Sequence, residues 1–277
     1  MSTPQKKSKK QIDGLYDSLT QVIGGLKNDV QTAEELLKKR LPKRFEKIKG
    51  FQVASRYLAG TRPGGDYLDL EDSSDGKQLS LILTQSTSYR LSNQILSTLA
   101  NLTLNHEEVK VPTVAVAVRR IFDDLKPVFK AVLKDRHHIS LFYGTYSRRD
   151  RLFHYLHLGG TSVFYAAPGG SYEVIQRQSE ALTLTPESSS ELPLPGSLQI
   201  APGSRIILIS EGWVEALGGK TQLLAVLTSK RDHDGLDILN ELVYRVKSQL
   251  TEDETMPCQD CTGLVLDAGI DGLTVVK

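Results

Sequence analysis

The sequence predicts an α+β fold: a layered domain over residues 50–277, preceded by a basic tail at 1–11 and a helix with its linker at 12–49. Two observations carry that expectation. Short β-type runs bounded by turn residues come in groups, and the long helical stretches fall between the groups, whereas a parallel βαβ sheet would alternate strictly. The length of 277 residues suits one large domain with an extension.

In chain order, Ile12, Leu15, Leu19, Val22, Leu26, Ala33 and Leu36 recur at alternating threes and fours, interrupted at Asp29, which is the narrow apolar seam of a helix. Gly14, Gly24 and Gly25 weaken it, so pairing with a second copy and packing on its own domain both stay open. Pro42 stops that helix, and Lys43, Arg44, Lys47 and Lys49 make a basic linker. Strands are expected at 51–58, 67–70, 79–83, 139–146, 151–158, 162–166, 205–209 and 263–266. Helices are expected at 91–101, 112–133, 219–229 and 236–250, and the run 183–203, rich in Pro, Ser and Glu, reads as a surface loop.

Composition excludes several classes. A net charge of +1 provides no global field for nucleic acid or an anionic membrane, and no apolar run approaches the ~18 to 20 residues of a membrane span. Lys6, Lys7, Lys9 and Lys10 are followed by no apolar signal-peptide core, so the tail reads as a solvated end and cytoplasmic residence is expected. Cys258 and Cys261 form a lone Cys-x-x-Cys; without a second pair to complete four zinc ligands, two reduced thiols near a strand start are expected. His137, His138, His154 and His157 fall on strand-like segments, where alternation sends neighbours and i, i+3 pairs to opposite faces, so they are not expected to ligate a metal.

The most informative segment is Gly64-Gly65-Asp66-Tyr67-Leu68-Asp69, in which two glycines allow a tight backbone approach and two carboxylates arrive three residues apart, as in divalent-cation sites. Further motifs follow in order. They are Ala33-Glu34-Glu35-Leu36-Leu37 with Leu41-Pro42, Val53-Ala54-Ser55-Arg56-Tyr57 before the Gly-Gly-Asp, Leu158-Gly159-Gly160-Thr161, Ala201-Pro202-Gly203-Ser204 running to Ser210-Glu211-Gly212-Trp213-Val214-Glu215-Ala216, and Gln259-Asp260-Cys261-Thr262. This series resembles the SpoIIE/RsbU-type branch of the PPM metal-dependent serine/threonine phosphatases over roughly residues 30–268. The resemblance implies an αββα sandwich of two antiparallel sheets flanked by helices, with a two-metal cluster of Mn²⁺ or Mg²⁺ at one end between the sheets. It also implies action on phosphoserine or phosphothreonine in small STAS-type regulators.

Four positions decide whether that chemistry carries over. Asp66 keeps its carboxylate. The resemblance sets Gln85 where the branch has an Asp opening Asp-Val-Ser-Gly-His-Gly; Glu211 where it has the Asp of Thr-Asp-Gly; and Gln259 at the ligand position of Asp-Asp-x-Thr, with Asp260 on the neighbour. Gly65, Asp69 and Gly212 are expected around the site rather than as ligands. Mg²⁺ and Mn²⁺ depend on anionic oxygen, and at an effective dielectric of about 20 a unit charge pair about 4 Å apart is worth roughly 4 kcal/mol. Two neutral amides in place of carboxylates therefore remove much of what holds a binuclear centre, leaving at most a weak site from Asp66, Glu211 and Asp260.

The sequence-based expectation is thus a phosphatase-like regulatory protein with impaired catalysis, no confident catalytic residue and no tightly bound cofactor, acting by binding a STAS-type or other regulatory protein. The competing expectations are a working serine/threonine phosphatase using Mn or Mg, and a scaffold that dimerises through the helix at 12–36. No nucleic-acid or membrane partner is expected.

Overall fold

The computed structural model describes residues 48–61, 65–73, 75–86, 113–120, 123, 139–180, 193–251, 254 and 256–269. The basic tail, the seam helix, the helix expected at 91–101, and His137 and His138 lie outside them; of the helix expected at 112–133, residues 114–120 are described and are helical.

Among the described residues, ten strands and three further helices run in the order β1 (Phe51–Leu58), β2 (Gly65–Asp72), β3 (Gln78–Ser86), β4 (Ile139–Ser147), β5 (Leu152–Leu158), β6 (Ser162–Ala166), β7 (Glu173–Ile175), β8 (Gly196–Gln199), β9 (Arg205–Ile209), α1 (Glu211–Ala216), α2 (Lys220–Ser229), α3 (Gly235–Gln249) and β10 (Cys261–Ala268). They form two five-stranded sheets, β1-β10-β9-β6-β7 and β2-β3-β4-β5-β8, in which every ladder is antiparallel. The expected sandwich is the one observed.

Strand alternation sorts the side chains into two cores. Leu68, Leu70, Leu79, Leu81, Leu83, Phe142 and Phe153 of one sheet meet Val163, Ile206, Leu208, Leu264 and Leu266 of the other. The opposite face of the second sheet, through Phe164, Ile207, Ile209 and Val265, packs on Trp213 of α1, Leu223 and Leu227 of α2, and Ile238, Leu239 and Leu242 of α3. Each such side chain contributes about 1.5–3 kcal/mol when fully buried. Arg205 ties the helical layer down: it pairs with Asp267 across β9 and β10 and donates to the carbonyls of Arg231 and His233 in the turn before α3. Asp234 caps α3 by accepting the Asp237 N–H at 2.8 Å.

Two strands and one helix escape the sequence reading. β8 lies inside the run expected as a loop, because Gly196-Ser197-Leu198-Gln199 carries a single apolar residue and follows two prolines; what makes it a strand is pairing with β5. β7 has three residues, too few for a period. Glu211 opens α1, a six-residue helix too short to show a 3.6-residue pattern.

On the inner face of the first sheet Phe153, Tyr155 and His157 line up against Phe142, with ring centroids 6.1, 5.8 and 5.8 Å from it. Gly144 makes room for this row, since a Cβ there would come within 2.2 Å of the Phe153 ring. His154 is exposed and His157 buried, as alternation requires. Burial pushes the His157 imidazole down to about 4, aided by nearby Lys220 and Arg177 and opposed by its 2.9 Å bond to the Thr161 carbonyl. The neutral ring is therefore the folded form. The stability this provides is complete above the unfolded value of about 6.5 and declines as pH falls through the window down to the folded value. Urea denaturation of the protein should show a loss of about 2–3 kcal/mol between pH 7 and 4 from this group, and His157→Gln should flatten that slope.

Candidate functional site

The apolar rows between the sheets turn polar at one end. Along β2 the inward series Leu70, Leu68 ends in Asp66, and along β3 Leu79, Leu81, Leu83 ends in Gln85. Asp66 and Gln85 are direct cross-strand partners. From the other sheet the series Ile206, Leu208 ends in Ser210, and Leu266, Leu264 ends in Thr262. Asp66 is 2% exposed and Gln85 8%.

At this end a chain of hydrogen bonds runs through both glutamines. The Glu211 backbone N–H donates to Gln85 Oε1 at 3.2 Å; Gln85 Nε2 donates to Gln259 Oε1 at 3.1 Å; Gln259 Nε2 donates to Glu215 Oε2 at 2.5 Å. The sequence thus places an amide at each of two separated positions, and the fold brings the two into contact. Glu215 and Gln259 also line a cleft of about 180 Å³ with Val246, Leu250, Pro257 and Cys258.

The carboxylates have different surroundings. Asp260 accepts the Gly60 N–H at 2.6 Å on one oxygen and the Asp66 N–H at 3.4 Å on the other, so it fastens the β1–β2 connection. Asp66 sits on a strand, not in a turn accepting backbone N–H bonds, and neither of its buried oxygens takes a well-formed hydrogen bond. Burial first, and then the neighbouring Asp260, push its carboxyl well above the usual range; the Ser210 and Thr262 hydroxyls nearby offset part of that. Ser210 holds β9 to β10, accepting the Thr262 N–H at 2.8 Å and donating to the Asp260 carbonyl at 3.3 Å.

Two glycines press on the two peptides that flank Asp260. A Cβ at Gly60 would lie 2.2 Å from the Gln259 carbonyl carbon, and one at Gly212 would lie 2.0 Å from the Asp260 carbonyl oxygen. The Glu211 carboxylate lies over Gly160, where a Cβ would come within 2.4 Å of Oε2. Gly65 opens β2 opposite Ser86. Asp69 does not join Asp66: three residues along a strand is the opposite face, and its carboxylate accepts the Tyr67 hydroxyl at 2.9 Å and the Leu70 N–H at 2.8 Å. Cys258 is exposed and Cys261 buried at the start of β10, both as free thiols.

These donors do not fit a pair of hard divalent cations. The amide oxygens of Gln85 and Gln259 are engaged, the Asp260 carboxylate is taken up by backbone N–H groups, and Glu211 is packed on Gly160. Among the described residues no group of three or more His, Cys, Asp and Glu side chains is placed to hold a metal ion.

Comparison with known proteins decides the family. The profile of the stage II sporulation protein E (SpoIIE) family matches residues 89–267. The chain belongs to the SpoIIE family. No curated protein matches it significantly. Among solved structures, the SpoIIE fold seen here is similar to the PP2C domain of SiaA from Pseudomonas aeruginosa, with a TM-score of 0.65, 12% identity, and coverage of 89% of this chain and 98% of that one. It is also similar to the PP2C phosphatase domain of SpoIIE from Bacillus subtilis, with a TM-score of 0.61, 14% identity, and coverage of 80% and 64%. A third is the catalytic domain of the serine/threonine protein phosphatase PstP in complex with two manganese ions, with a TM-score of 0.53, 14% identity, and coverage of 79% and 99%. At these identities the likeness shows the SpoIIE-type fold.

Sequence reasoning overlooked Gly60, Ser210, Glu215 and Thr262 as parts of this end of the SpoIIE domain. The trailing Glu215 of the Glu-Gly-Trp-Val-Glu run was visible as a motif member, but its bond to Gln259 spans 44 positions.

Two substitutions test the geometry. Gly212→Ala forces a methyl into the Asp260 carbonyl and should cost about 2 kcal/mol or more in urea denaturation. For Asp66, a raised folded pKa means that its stabilising contribution is full below the unfolded value of about 3.9 and is lost as pH rises through the folded value. Asp66→Asn should therefore melt above the wild type at pH 7, with the advantage disappearing toward pH 3 in the same melting assay.

Proposed function

We propose that this SpoIIE-family domain is a regulator with impaired phosphatase chemistry, working in the cytoplasm by binding a signalling protein, with a STAS-type or other phosphorylated regulator as the class of partner. The observation that carries the reading is the direct bond between Gln85 and Gln259. The resemblance sets both residues at metal-carboxylate positions, and here their oxygens and amide protons are used on each other and on α1. Binding of such a partner without turnover is the role left to a sandwich that has amides at these two positions. No described helix is long and apolar enough to cross a membrane.

The competing reading, a working phosphatase with a rebuilt site, is favoured by one observation: the buried Asp66 carboxylate has no well-formed hydrogen bond. Kinetics separates the two. With manganese in excess, the wild type should release no phosphate from a phosphoserine peptide above background, while Gln85→Asp/Glu211→Asp/Gln259→Asp should gain manganese-dependent turnover. Saturable manganese-dependent hydrolysis by the wild type would reject the regulatory reading.

A further inference from the structure

We propose that the Gln85–Gln259 pair is a metal-free cross-brace, doing between the two sheets the structural work that bound cations would otherwise do, and that it is built from both positions together. This rests on the reading that the metal site has been altered. Gln85 lies on β3 of one sheet and Gln259 just ahead of β10 of the other, so their bond joins the sheets where the apolar rows have run out.

The direction of the hydrogen bonds is set from outside the pair. The Glu211 backbone N–H can only donate, so Gln85 must turn its oxygen toward α1. An ionised Glu215 can only accept, so Gln259 must turn its NH₂ outward. The groups left facing each other are then the Gln85 NH₂ and the Gln259 oxygen, one donor and one acceptor. A carboxylate at either position breaks this head-to-tail order. With carboxylates at both, no donor remains in the middle, and two anions face each other beside Glu215 and near Asp66 and Asp260, a cluster that only a cation or added protons would relieve.

The test compares melting of the full-length wild type and Gln85→Glu/Gln259→Glu in EDTA and in manganese, with the free Mn²⁺ signal followed by electron paramagnetic resonance. The wild type should melt at the same temperature in both, within about 1 °C, and leave the Mn²⁺ signal undiminished; the double variant should melt about 5 °C or more lower in EDTA and regain most of that in manganese. Gln85→Met/Gln259→Met, which removes the brace without adding charge, should also melt lower but show no response to manganese. Wild-type melting that rises with manganese as the free signal falls would overturn the proposal, as would a double Glu variant equal to wild type in EDTA. If the Glu variant does not fold, the wild-type and Met measurements decide it. Phosphopeptide turnover by a wild type that ignores manganese would reject the regulatory reading and leave the brace standing; manganese-dependent stabilisation without turnover would do the reverse.

Discussion

Two carboxylates cannot face each other in a half-dry space without a cation or a proton between them, whereas two carboxamides can, because each carries a donor and an acceptor. That difference organises the polar end of this sandwich. Gln85 and Gln259 meet through one hydrogen bond, and the neighbouring α1 fixes its direction from both sides, by the Glu211 N–H and the Glu215 carboxylate. In the low effective dielectric there, a satisfied neutral pair is stable by itself, and an anionic pair would be stable only when loaded.

The rest of the architecture serves to bring those side chains together. Strand alternation fills the space between the sheets with leucine, isoleucine and phenylalanine and leaves polar residues only where the rows end. Gly60 and Gly212 let the β1–β2 connection and α1 approach the peptides on either side of Asp260 more closely than any side chain would permit. Asp260, one residue from Gln259, spends its charge on backbone N–H groups of Gly60 and Asp66. The sandwich is therefore closed at its polar end by side chains that hold backbone groups and one another. Asp66 is the residue that this arrangement leaves least well served, buried beside another carboxylate with no well-formed hydrogen bond to its oxygens.

Much of the fold was legible in the sequence because its signals are local. β1, β6 and β9 begin and end where the β-type runs do, and α2 and α3 match their periodic stretches to within a residue at each end. The misses are short elements whose structure is imposed by neighbours: β8 by its pairing to β5, β7 by its pairing to β6, and α1 by packing under the second core. The site was legible as a set of positions, since Asp66, Gln85, Glu211, Gln259 and Asp260 all stand in recognisable motifs. Their relations were not. Asp66 and Asp69 look like a pair in sequence and lie on opposite faces of β2, while Gln85 and Gln259 look unrelated and touch.

The sequence by itself determined the residue types and the period of each element, hence a layered α+β domain, and the resemblance carried by its motifs implied the two sheets and set amides at two expected carboxylate positions. Only the tertiary structure decided what those amides do. A side chain's chemistry is set by its own atoms, but whether it faces a cation, a proton or another amide depends on which distant strand the packing of the core brings opposite it.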